Sequence, residues 1–289
     1  MNVFVSPFRN PFINLALEDY FLRGGADLPL VFFYVNRPCV VLGRFQNPWL
    51  ECHLPYLVQN DIWLVRRQSG GGCVFHDEGN LNYSFIYPEG MIDRRRGVEL
   101  IQRAFAKADI PLEISARHDL WLAGKKISGS AFKQTKDASF HHGTFLVSSD
   151  LDRLEESLKH TIIPQETKSI ASVRSKVISL NQKFPEITIE DVMDLITHEL
   201  KSIRHELDGS LLSLSEVQQS FQQLIRWEWM WGETPLFELN DLKIHKGFIK
   251  EPFEAKFEAE SLSEKMSAAE LSRLFPDFSV QYQAQTQVF

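Results

Sequence analysis

RRQSGGGCVFHDEGNLNYSF, residues 66–85, places three consecutive glycines between a pair of arginines and a strand-like segment. Glycine accepts positive φ and lets the backbone approach a ligand closely. Successive N–H groups in such a turn can form a concave nest for an anion, and arginines beside it add donors suited to carboxylate and phosphate. The segment predicts a small-molecule site that holds a negatively charged group. A glycine-rich hairpin without a ligand is the alternative.

The two common phosphate-binding motifs do not fit this loop. A P-loop needs Lys followed by Ser or Thr after its last glycine, where this chain has Cys73 and Val74. A dinucleotide-binding fingerprint needs a third glycine where Phe75 stands, followed by a helix, and β-favouring residues follow here. The loop is therefore expected to bind its anion by another design.

A second segment, RHDLWLAGKKISGSAFKQTKDASFHHGTF at residues 117–145, complements the first. Residues 119–123 have strand character, Gly124 turns, and a second strand starts at Lys125 and is expected to end at residues 128–129. Because side chains alternate along a strand, only one of Lys125 and Lys126 can face a pocket. The alternative is that both are solvated lysines on an edge strand.

At these two segments the chain resembles the lipoate–protein ligase A and lipoyltransferase family. NLALEDYF (14–21), VVLGRFQNPW (40–49), SVRSKV (172–177) and WEWMWGETP (227–235) also match, in the family's order. The resemblance covers most of residues 10–235. It implies an α+β catalytic domain over residues 1–235, built on a mixed or antiparallel sheet as in the biotin and lipoyl protein ligases. Residues 236–289 are then a small, apparently truncated C-terminal accessory domain.

The activity that this resemblance implies is ATP-dependent lipoylation. Lipoate attacks the α-phosphate of ATP with Mg²⁺ to form lipoyl-AMP, and a lysine of an acceptor then attacks this mixed anhydride. The acceptors expected are the lipoyl domains of 2-oxoacid dehydrogenase complexes or the glycine cleavage H protein. The enzyme needs no nucleophile of its own, because holding both reactants in line supplies much of the rate.

Two residues are expected to act at the reacting centre. By alignment with the family's lysine motif, Lys126 is the fixed cation that bridges carboxylate and phosphate, where negative charge builds in both steps. Asp119 lies where the family places a carboxylate, which could coordinate Mg²⁺ or orient the incoming amine. Arg66 is expected to be structural.

The remaining site residues are expected, from the same resemblance, to border lipoate or the adenylate. They are Arg67, Ser69, Gly70, Gly71 and Gly72 for the carboxyl end of lipoate and the phosphate; His76 and Asn80 at the same pocket; Gly43 and Arg44 at the mouth of the lipoate channel; and Lys133, His142 and Arg174 for the adenylate. For His76, a packed and hydrogen-bonded strand histidine is an equal alternative to ligand contact.

Other functions are weighed against ligase activity on particular residues. His118 and Lys133 stand where many bacterial relatives have Asn and Arg, and the short C-terminal region adds to the case for a lipoyltransferase that uses preformed lipoyl-AMP or needs a helper subunit. An octanoyltransferase needs a thiolate downstream of the lysine motif, and no cysteine follows Cys73, which is interpreted as core filler. A noncatalytic lipoate carrier would not need both Lys126 and Asp119.

Composition limits the class of protein and the cellular compartment that the sequence allows. The net charge of −7 argues against a general nucleic-acid binder, and no apolar run approaches the ~20 residues of a membrane span. Three cysteines without metal-ligand spacing indicate a reducing compartment. The adjacent His141 and His142 would point to opposite faces of a strand, so they do not form a zinc site. A cytoplasmic monomer is expected, with a mature organellar form as the alternative.

Periodicity and turn residues predict the order of the elements. Helices are expected at 14–23, 93–108, 151–159, 189–205, 215–229 and 268–275, and residues 47–59 are expected to be mostly helical. Strands are expected at 30–35, 40–43, 62–66, 73–76 and 81–87, within 112–147, and at 236–249 and 253–259. Residues 161–186 are expected to form a long loop.

Overall fold

The computed structural model describes residues 1–91, 93–160, 163–239, 242–246, 248–251 and 255–256. They divide into two compact units, each made of several chain segments. The first contains Met1–Arg37, His76–Leu151 and Arg174–Phe221. The second contains Pro38–Phe75, Asp152–Val173 and the described residues from Gln222 onward. The expected domain boundary at residue 235 stays a prediction.

The strands are, in chain order, β1 (Asn2–Val5), β2 (Leu30–Tyr34), β3 (Cys39–Leu42), β4 (Trp63–Arg66), β5 (Val74–His76), β6 (Asn80–Pro88), β7 (Glu113–Ile114), β8 (Leu120–Leu122), β9 (Lys125–Gln134), β10 (Ala138–Leu146), β11 (Glu166–Thr167), β12 (Arg204–Glu206), β13 (Phe237–Leu239), β14 (Leu242–His245), β15 (Phe248–Glu251) and β16 (Ala255–Lys256). The helices are α1 (Pro11–Leu22), α2 (Pro48–Glu51), α3 (Leu54–Gln59), α4 (Arg96–Ala106), α5 (Leu151–Ser157), α6 (Ile189–Glu199), α7 (Ser215–Leu224) and α8 (Trp227–Met230). Leu180–Gln182 and Gly209–Ser213 are 3₁₀ turns.

The first unit is built on an eight-stranded sheet of order β12-β1-β2-β6-β10-β9-β8-β7. Strand β1 pairs in parallel with both β12 and β2, and the remaining pairs are antiparallel. A mixed sheet with helices is the α+β class expected from the sequence. The expected fold class is confirmed.

Helices cover both faces of this sheet. Neighbouring residues of a strand point to opposite faces, and on β10 His142 contacts Glu18 of α1. His141 instead lies against Gly97 of α4, where an added Cβ would stand 2.4 Å from the histidine Nδ1. The central strand β6 is buried along nearly its whole length, as a strand covered on both faces must be.

Helix α1 begins directly after a favourable N-cap. The Asn10 side chain accepts hydrogen bonds from the backbone of Phe12 and Ile13, and Pro11 fills the first helical position. The helix therefore begins at Pro11 rather than at the expected residue 14. Its carboxylates Glu18 and Asp19 are buried among apolar neighbours, so both require polar partners.

The second unit contains a three-stranded sheet of order β4-β3-β5 and a five-stranded sheet of order β11-β13-β14-β15-β16. One apolar cluster includes residues from both: Val40, Leu42, Trp49, Cys52, Leu54, Leu57, Ile62, Leu64, Cys73, Phe75, Met230, Phe237 and Ile244. Through this cluster, Met230 lies in the same core as Leu64 of β4 and Phe75 of β5, the strands before and after the glycine loop.

Several sequence-based boundaries were wrong. The helix expected at 189–205 ends at Glu199, because Lys201 takes a positive φ of 52° and the chain then pairs with β1 as β12. The strand expected to end at residue 129 continues to Gln134 along β10. Residues 47–59 are mostly helical, as expected, in α2 and α3. The helix expected at 215–229 is instead two helices, and the strand expected at 236–249 is three. The long loop at 161–186 carries β11 and one 3₁₀ turn. The helix expected at 268–275 lies outside the described residues, as does most of the strand expected at 253–259.

No helix within the described part of the chain is both long and apolar enough to cross a bilayer.

Candidate active site

One of the three consecutive glycines in the second unit has the positive φ that the sequence predicts for this loop. Gly71 has a φ of +90°, a region that L side chains rarely adopt. Across from it, a Cβ at Gly43 would lie 2.1 Å from the Gly71 carbonyl oxygen. The backbone of Arg44 also donates to the Ser69 carbonyl at 2.9 Å. The turn after β3 and the glycine loop are therefore packed backbone to backbone.

Arg67 holds this loop together from inside. Its side chain is 5% exposed. Nε donates to the Ser69 hydroxyl at 2.9 Å, Nη1 to the Val41 carbonyl at 3.0 Å, and Nη2 to the carbonyls of Gly70 and Gly72 at 2.6 and 2.8 Å. A guanidinium used in this way shapes the loop. Its direct contact with a ligand anion stays a prediction.

Arg66 is structural, as expected. It is fully buried, and its guanidinium donates to the carbonyls of Met230, Gly43, Arg44 and Gln46 and to the Thr234 hydroxyl. Burial lowers the pKa of Arg66 to about 10, so it keeps its charge at neutral pH. Arg66 is the last residue of β4 and Arg67 follows it directly; because successive residues of an extended chain point to opposite sides, the two arginines have different partners.

A short segment around Ser172 crosses the glycine loop, and the sequence did not single it out. The Ser172 hydroxyl accepts from the Cys73 backbone N–H at 2.8 Å and from Gln46 Nε2 at 2.9 Å, and its own N–H donates to Glu51. An added Cβ at Gly72 would stand 3.2 Å from the Ser172 Oγ. Ser172 is the first residue of the SVRSKV segment, in which the sequence analysis assigned a role only to Arg174.

Cys73 packs in the apolar cluster below the loop, as expected for core filler. Its sulfur lies 3.9 Å from that of Cys52, and both thiols are free and buried. Burial, followed by the neighbouring Cys73, raises the pKa of the Cys52 thiol well above its usual value. A protonated, buried thiol is a poor nucleophile.

Arg44 belongs to the same unit and is partly exposed. Its guanidinium stands 5.5 Å from the Phe45 ring centroid and 5.4 Å from that of Trp229, and 3.8 Å from the Glu233 carboxylate. These contacts orient the cation without burying it. Part of the Arg44 side chain therefore remains open to solvent.

In the first unit, a β-bulge determines the direction of the Lys126 side chain. Between Leu120 and Trp121 the register advances one residue on β8 and two on β9. As a result the Lys126 side chain lies over Gly129, where an added Cβ would come within 3.2 Å of both Cε and Nζ. In a regular strand, residues three apart face opposite sides. Lys125 is exposed and Lys126 is partly buried; that Lys126 faces a ligand pocket stays a prediction.

Asp119 is the partner of Lys126. Its Oδ2 lies 2.9 Å from Lys126 Nζ, and its Oδ1 accepts the Ser130 backbone N–H at 3.1 Å. Both oxygens of this nearly buried carboxylate are therefore engaged. Among the described residues, no group of three or more His, Cys, Asp or Glu side chains could hold a metal ion.

Lys133 and His142, two expected adenylate contacts, lie on the same face of β9 and β10 as Lys126. Gly129 pairs with Thr144 and Ala131 with His142, so alternation puts residues 129, 131, 133, 142 and 144 on one face. Sequence reasoning missed the carboxylates that meet them there. Glu18 contacts His142 Nδ1 at 3.0 Å and also accepts from Ser84, and Asp19 lies 3.9 Å from Lys133 Nζ.

This buried ion cluster keeps Glu18 charged. Burial alone would raise the pKa of Glu18, but His142, then Ser84 and Lys133, outweigh it and lower the pKa below its usual value. NLALEDYF was part of the family resemblance, and its adjacent acidic pair on an otherwise apolar helix was the signal that could have identified these residues.

Backbone pairing brings the second half of SVRSKV beside Lys126. The Lys126 N–H donates to the Lys176 carbonyl at 2.9 Å, and the Ile178 N–H donates to the Lys126 carbonyl at 3.0 Å. Arg174, two residues before Lys176, is exposed. The structure thus brings Asp119, Lys126 and the Arg174 segment together within the first unit.

His76 and Asn80 are buried in the first unit. His76 Nδ1 lies 3.0 Å from Asn36 Nδ2, and Asn36 Oδ1 accepts from Asn14. Asn80 donates to Asn82 at 3.1 Å. For His76, a packed and hydrogen-bonded strand histidine is what the structure shows. Contact with a ligand stays a prediction for both residues.

Residues 10–201 match the family model of the lipoyl protein ligase A/B catalytic domain. Lipoate-protein ligase A of Psychrobacter cryohalolentis is 36% identical over 250 residues, which are 82% of this chain and 74% of that protein.

Two solved structures show the likeness of the fold. The crystal structure of P. falciparum LipL1 in complex with lipoate has a TM-score of 0.73 at 23% identity and covers 98% of this chain and 99% of that one. The crystal structure of lipoate-protein ligase A bound with ATP has a TM-score of 0.65 at 24% identity and covers 77% of this chain and 95% of that one. The family model and the Psychrobacter relative lead to one conclusion: the chain is an enzyme of the lipoate–protein ligase family.

Proposed function

We propose that this protein activates lipoate with ATP as lipoyl-AMP and transfers the lipoyl group to a lysine of an acceptor domain. The observation that carries the proposal is Lys126: a bulge directs it, Gly129 leaves room for its ammonium, and Asp119 holds it at 2.9 Å. The relatives named for lipoate-protein ligase activity, and the neighbours bound to lipoate and to ATP, support the choice of substrates.

In this mechanism the Lys126 ammonium stabilises negative charge in both half-reactions. It first offsets charge on the lipoate carboxylate and the α-phosphate oxygens, and then charge on the carbonyl oxygen as the acceptor amine attacks. A preorganised cation in a partly desolvated site contributes more to this than one in water. Lys133 and His142 on the same strand face are proposed adenylate contacts, with Glu18 and Asp19 holding them in place.

The role proposed for Asp119 is to orient Lys126 and the incoming amine. A lysine amine in water has a pKa of about 10.4 and must lose a proton to attack, and a carboxylate beside the reacting centre can accept it. Because both Asp119 oxygens are already engaged by protein donors, it is a poor first choice as a magnesium ligand. Mg²⁺ enters with ATP as part of the substrate complex.

The glycine loop is proposed to bind the anionic part of lipoyl-AMP with its backbone. Gly71 takes a conformation that L residues rarely adopt, and Arg67 and Ser69 support the loop from within. Gly70 and Gly72 complete it. The partly exposed Arg44 and the exposed Arg174 are proposed as cations for phosphate or for an acidic acceptor. The acceptors proposed are lipoyl domains of 2-oxoacid dehydrogenases or the glycine cleavage H protein.

The test is pyrophosphate release by the purified protein with ATP, Mg²⁺ and lipoate, followed by mass measurement of an acceptor domain. We expect both products. Lys126→Ala should raise the activation barrier for transfer by a few kcal/mol, which lowers the rate about 100-fold or more. Replacing the exposed Lys125 with alanine should lower the rate only slightly. Full activity of a folded Lys126→Ala protein would overturn the mechanism. Use of lipoyl-AMP without any use of ATP plus lipoate would make the protein a lipoyltransferase.

A further inference from the structure

A buried histidine lies on the opposite face of the large sheet from Lys126, outside all the residues assigned above to a ligand. His141 of β10 lies between Phe132, its partner on β9, and Phe85, its partner on β6. Its ring stacks on both, with centroids 4.6 and 6.0 Å away and interplanar angles of 15° and 14°. The ring is fixed in position and shielded from water.

The hydrogen bonds of Ser130 determine which nitrogen of His141 carries a proton. The Ser130 hydroxyl donates to the His118 carbonyl at 2.7 Å, and a carbonyl oxygen can only accept. The hydroxyl has a single hydrogen, so in its 2.9 Å contact with His141 Nε2 it must be the acceptor. His141 Nε2 therefore carries the proton and donates it to Ser130.

The other ring nitrogen has no room for a partner. Within the described part of the chain, His141 Nδ1 is buried and has no hydrogen-bond partner. It faces Gly97 of α4 so closely that a Cβ there would stand 2.4 Å away. A second proton would be buried and unpaired, which is costly. Burial above all, and then His142 and His118, lowers the pKa of His141 to about 3. His141 is thus neutral.

Ser130 connects this histidine to both residues of a strained turn. Its hydroxyl holds the His118 carbonyl, and its backbone N–H holds the Asp119 carboxylate at 3.1 Å. His118 has a φ of +63°, in the left-handed region that non-glycine residues adopt only where their surroundings hold them. Asp119 in turn pairs with Lys126. A continuous chain of contacts leads from His141 to the reactive lysine.

We propose that His141, as the neutral Nε2–H tautomer, is a positioning residue for lipoyl transfer, which acts through Ser130 on the His118–Asp119 turn and so on Lys126. The inference rests on the proposed function, in which Lys126 acts at the reacting centre. It gives the first histidine of the HHGTF segment a role distinct from that of His142, which faces the other side of the sheet.

The kinetic experiment compares variants that differ in the donor at position 141. His141→Phe keeps the aromatic stack and loses the N–H, whereas His141→Gln keeps a donor at the position of Nε2. Ser130→Ala removes the hydroxyl that links His141 to the His118–Asp119 turn. With synthetic lipoyl-AMP, we expect kcat for transfer to fall about 10-fold in His141→Phe and in Ser130→Ala, with the acceptor KM changed less than about 2-fold and kcat largely restored in His141→Gln. Ser139→Ala is the matched control, because Ser139 is a buried serine two residues earlier on β10 whose hydroxyl has no partner in the described residues.

A spectroscopic readout does not depend on activity or on the folding of a variant. ¹⁵N NMR of the wild-type protein at pH 7 should show His141 neutral, with the proton on Nε2. An Nδ1–H tautomer or a charged ring would overturn the inference. Wild-type kcat in both Ser130→Ala and His141→Phe, with Lys126→Ala inactive, would overturn it while the proposed function stands. Full activity of Lys126→Ala would overturn the proposed function, and this inference with it.

Discussion

Gly129→Ala tests the placement of Lys126 with the addition of one methyl group. The added Cβ would stand 3.2 Å from both Cε and Nζ of Lys126. Ordinary carbon contacts lie at about 3.5–4.0 Å, so the end of this flexible side chain must move by roughly 0.3–0.8 Å. Gly129 has no positive φ in the structure, so alanine adds no backbone strain there.

The expected result separates activity from stability. A misplacement of about 1 Å near the chemistry can cost 10²-fold in rate, so a shift of roughly half that size should lower transfer from lipoyl-AMP by about 5- to 30-fold, or ~1–2 kcal/mol. The melting temperature should stay level or rise slightly, because replacing glycine lowers the entropy of the unfolded chain by the equivalent of about 0.4–1 kcal/mol.

Steady-state transfer to an acceptor domain and a thermal melt are the two measurements. Gly209→Ala is the control, because a Cβ at Gly209 meets no atom within 4 Å and its φ is ordinary. Gly129→Ala with unchanged kcat and an unchanged melt would refute the argument that Lys126 must lie against a bare glycine. A large loss of stability would instead show that the contact with Lys126 was not the main consequence of the methyl group.

Three further predictions concern the loop, the buried ion cluster and the thiols. Gly71→Val should weaken lipoyl-AMP binding in calorimetry by at least about 10-fold, because a β-branched residue at a φ of +90° must rebuild the loop; unchanged affinity would move the anion site elsewhere. Glu18→Gln should cost about 3 kcal/mol in urea unfolding at pH 7, as expected when one partner of a buried pair is removed. Since the folded-state pKa of Glu18 is below its usual value, its stabilising contribution is complete above about pH 4.5 and is lost as the pH falls through that lower value, so the difference from wild type should shrink there. Replacing all three cysteines with alanine or serine should leave acyl transfer per folded molecule unchanged, and a thioester-linked acyl-enzyme seen by mass spectrometry would contradict this.

Controls for these variants are available in the same chain. Glu155→Gln removes an exposed glutamate and should show neither the loss at pH 7 nor the change below pH 4.5. For Gly71→Val, Gly209→Val introduces the same side chain at an open position of ordinary φ. Equal effects in a variant and its control would mean that the substitution, rather than the site, is responsible.

Local signals predicted the elements whose causes are local. The amphipathic spacing of α4 and the β-favouring runs of β2 and β6 were each visible in a few residues, whereas the start of α1 at Pro11 was missed. Positive φ in the glycine loop followed from residue type and is found at Gly71, whereas the structural role of Arg66 came from the family resemblance. Predictions were wrong where a distant strand decided the outcome: β12 replaced the end of a helix because β1 offers it an edge.

The sequence by itself determined the family and the α+β class and predicted the glycine loop and the choice of Lys126 over Lys125, since the motifs behind each of them are residue types at short spacing. Only the tertiary structure decided what these residues contact. The bulge that turns Lys126 over Gly129, the pairing of Glu18 with His142 and the path from His141 through Ser130 to Asp119 join residues on separate strands and helices. Such partners depend on register and packing, and a one-residue change in pairing turns a side chain to the other face of the sheet.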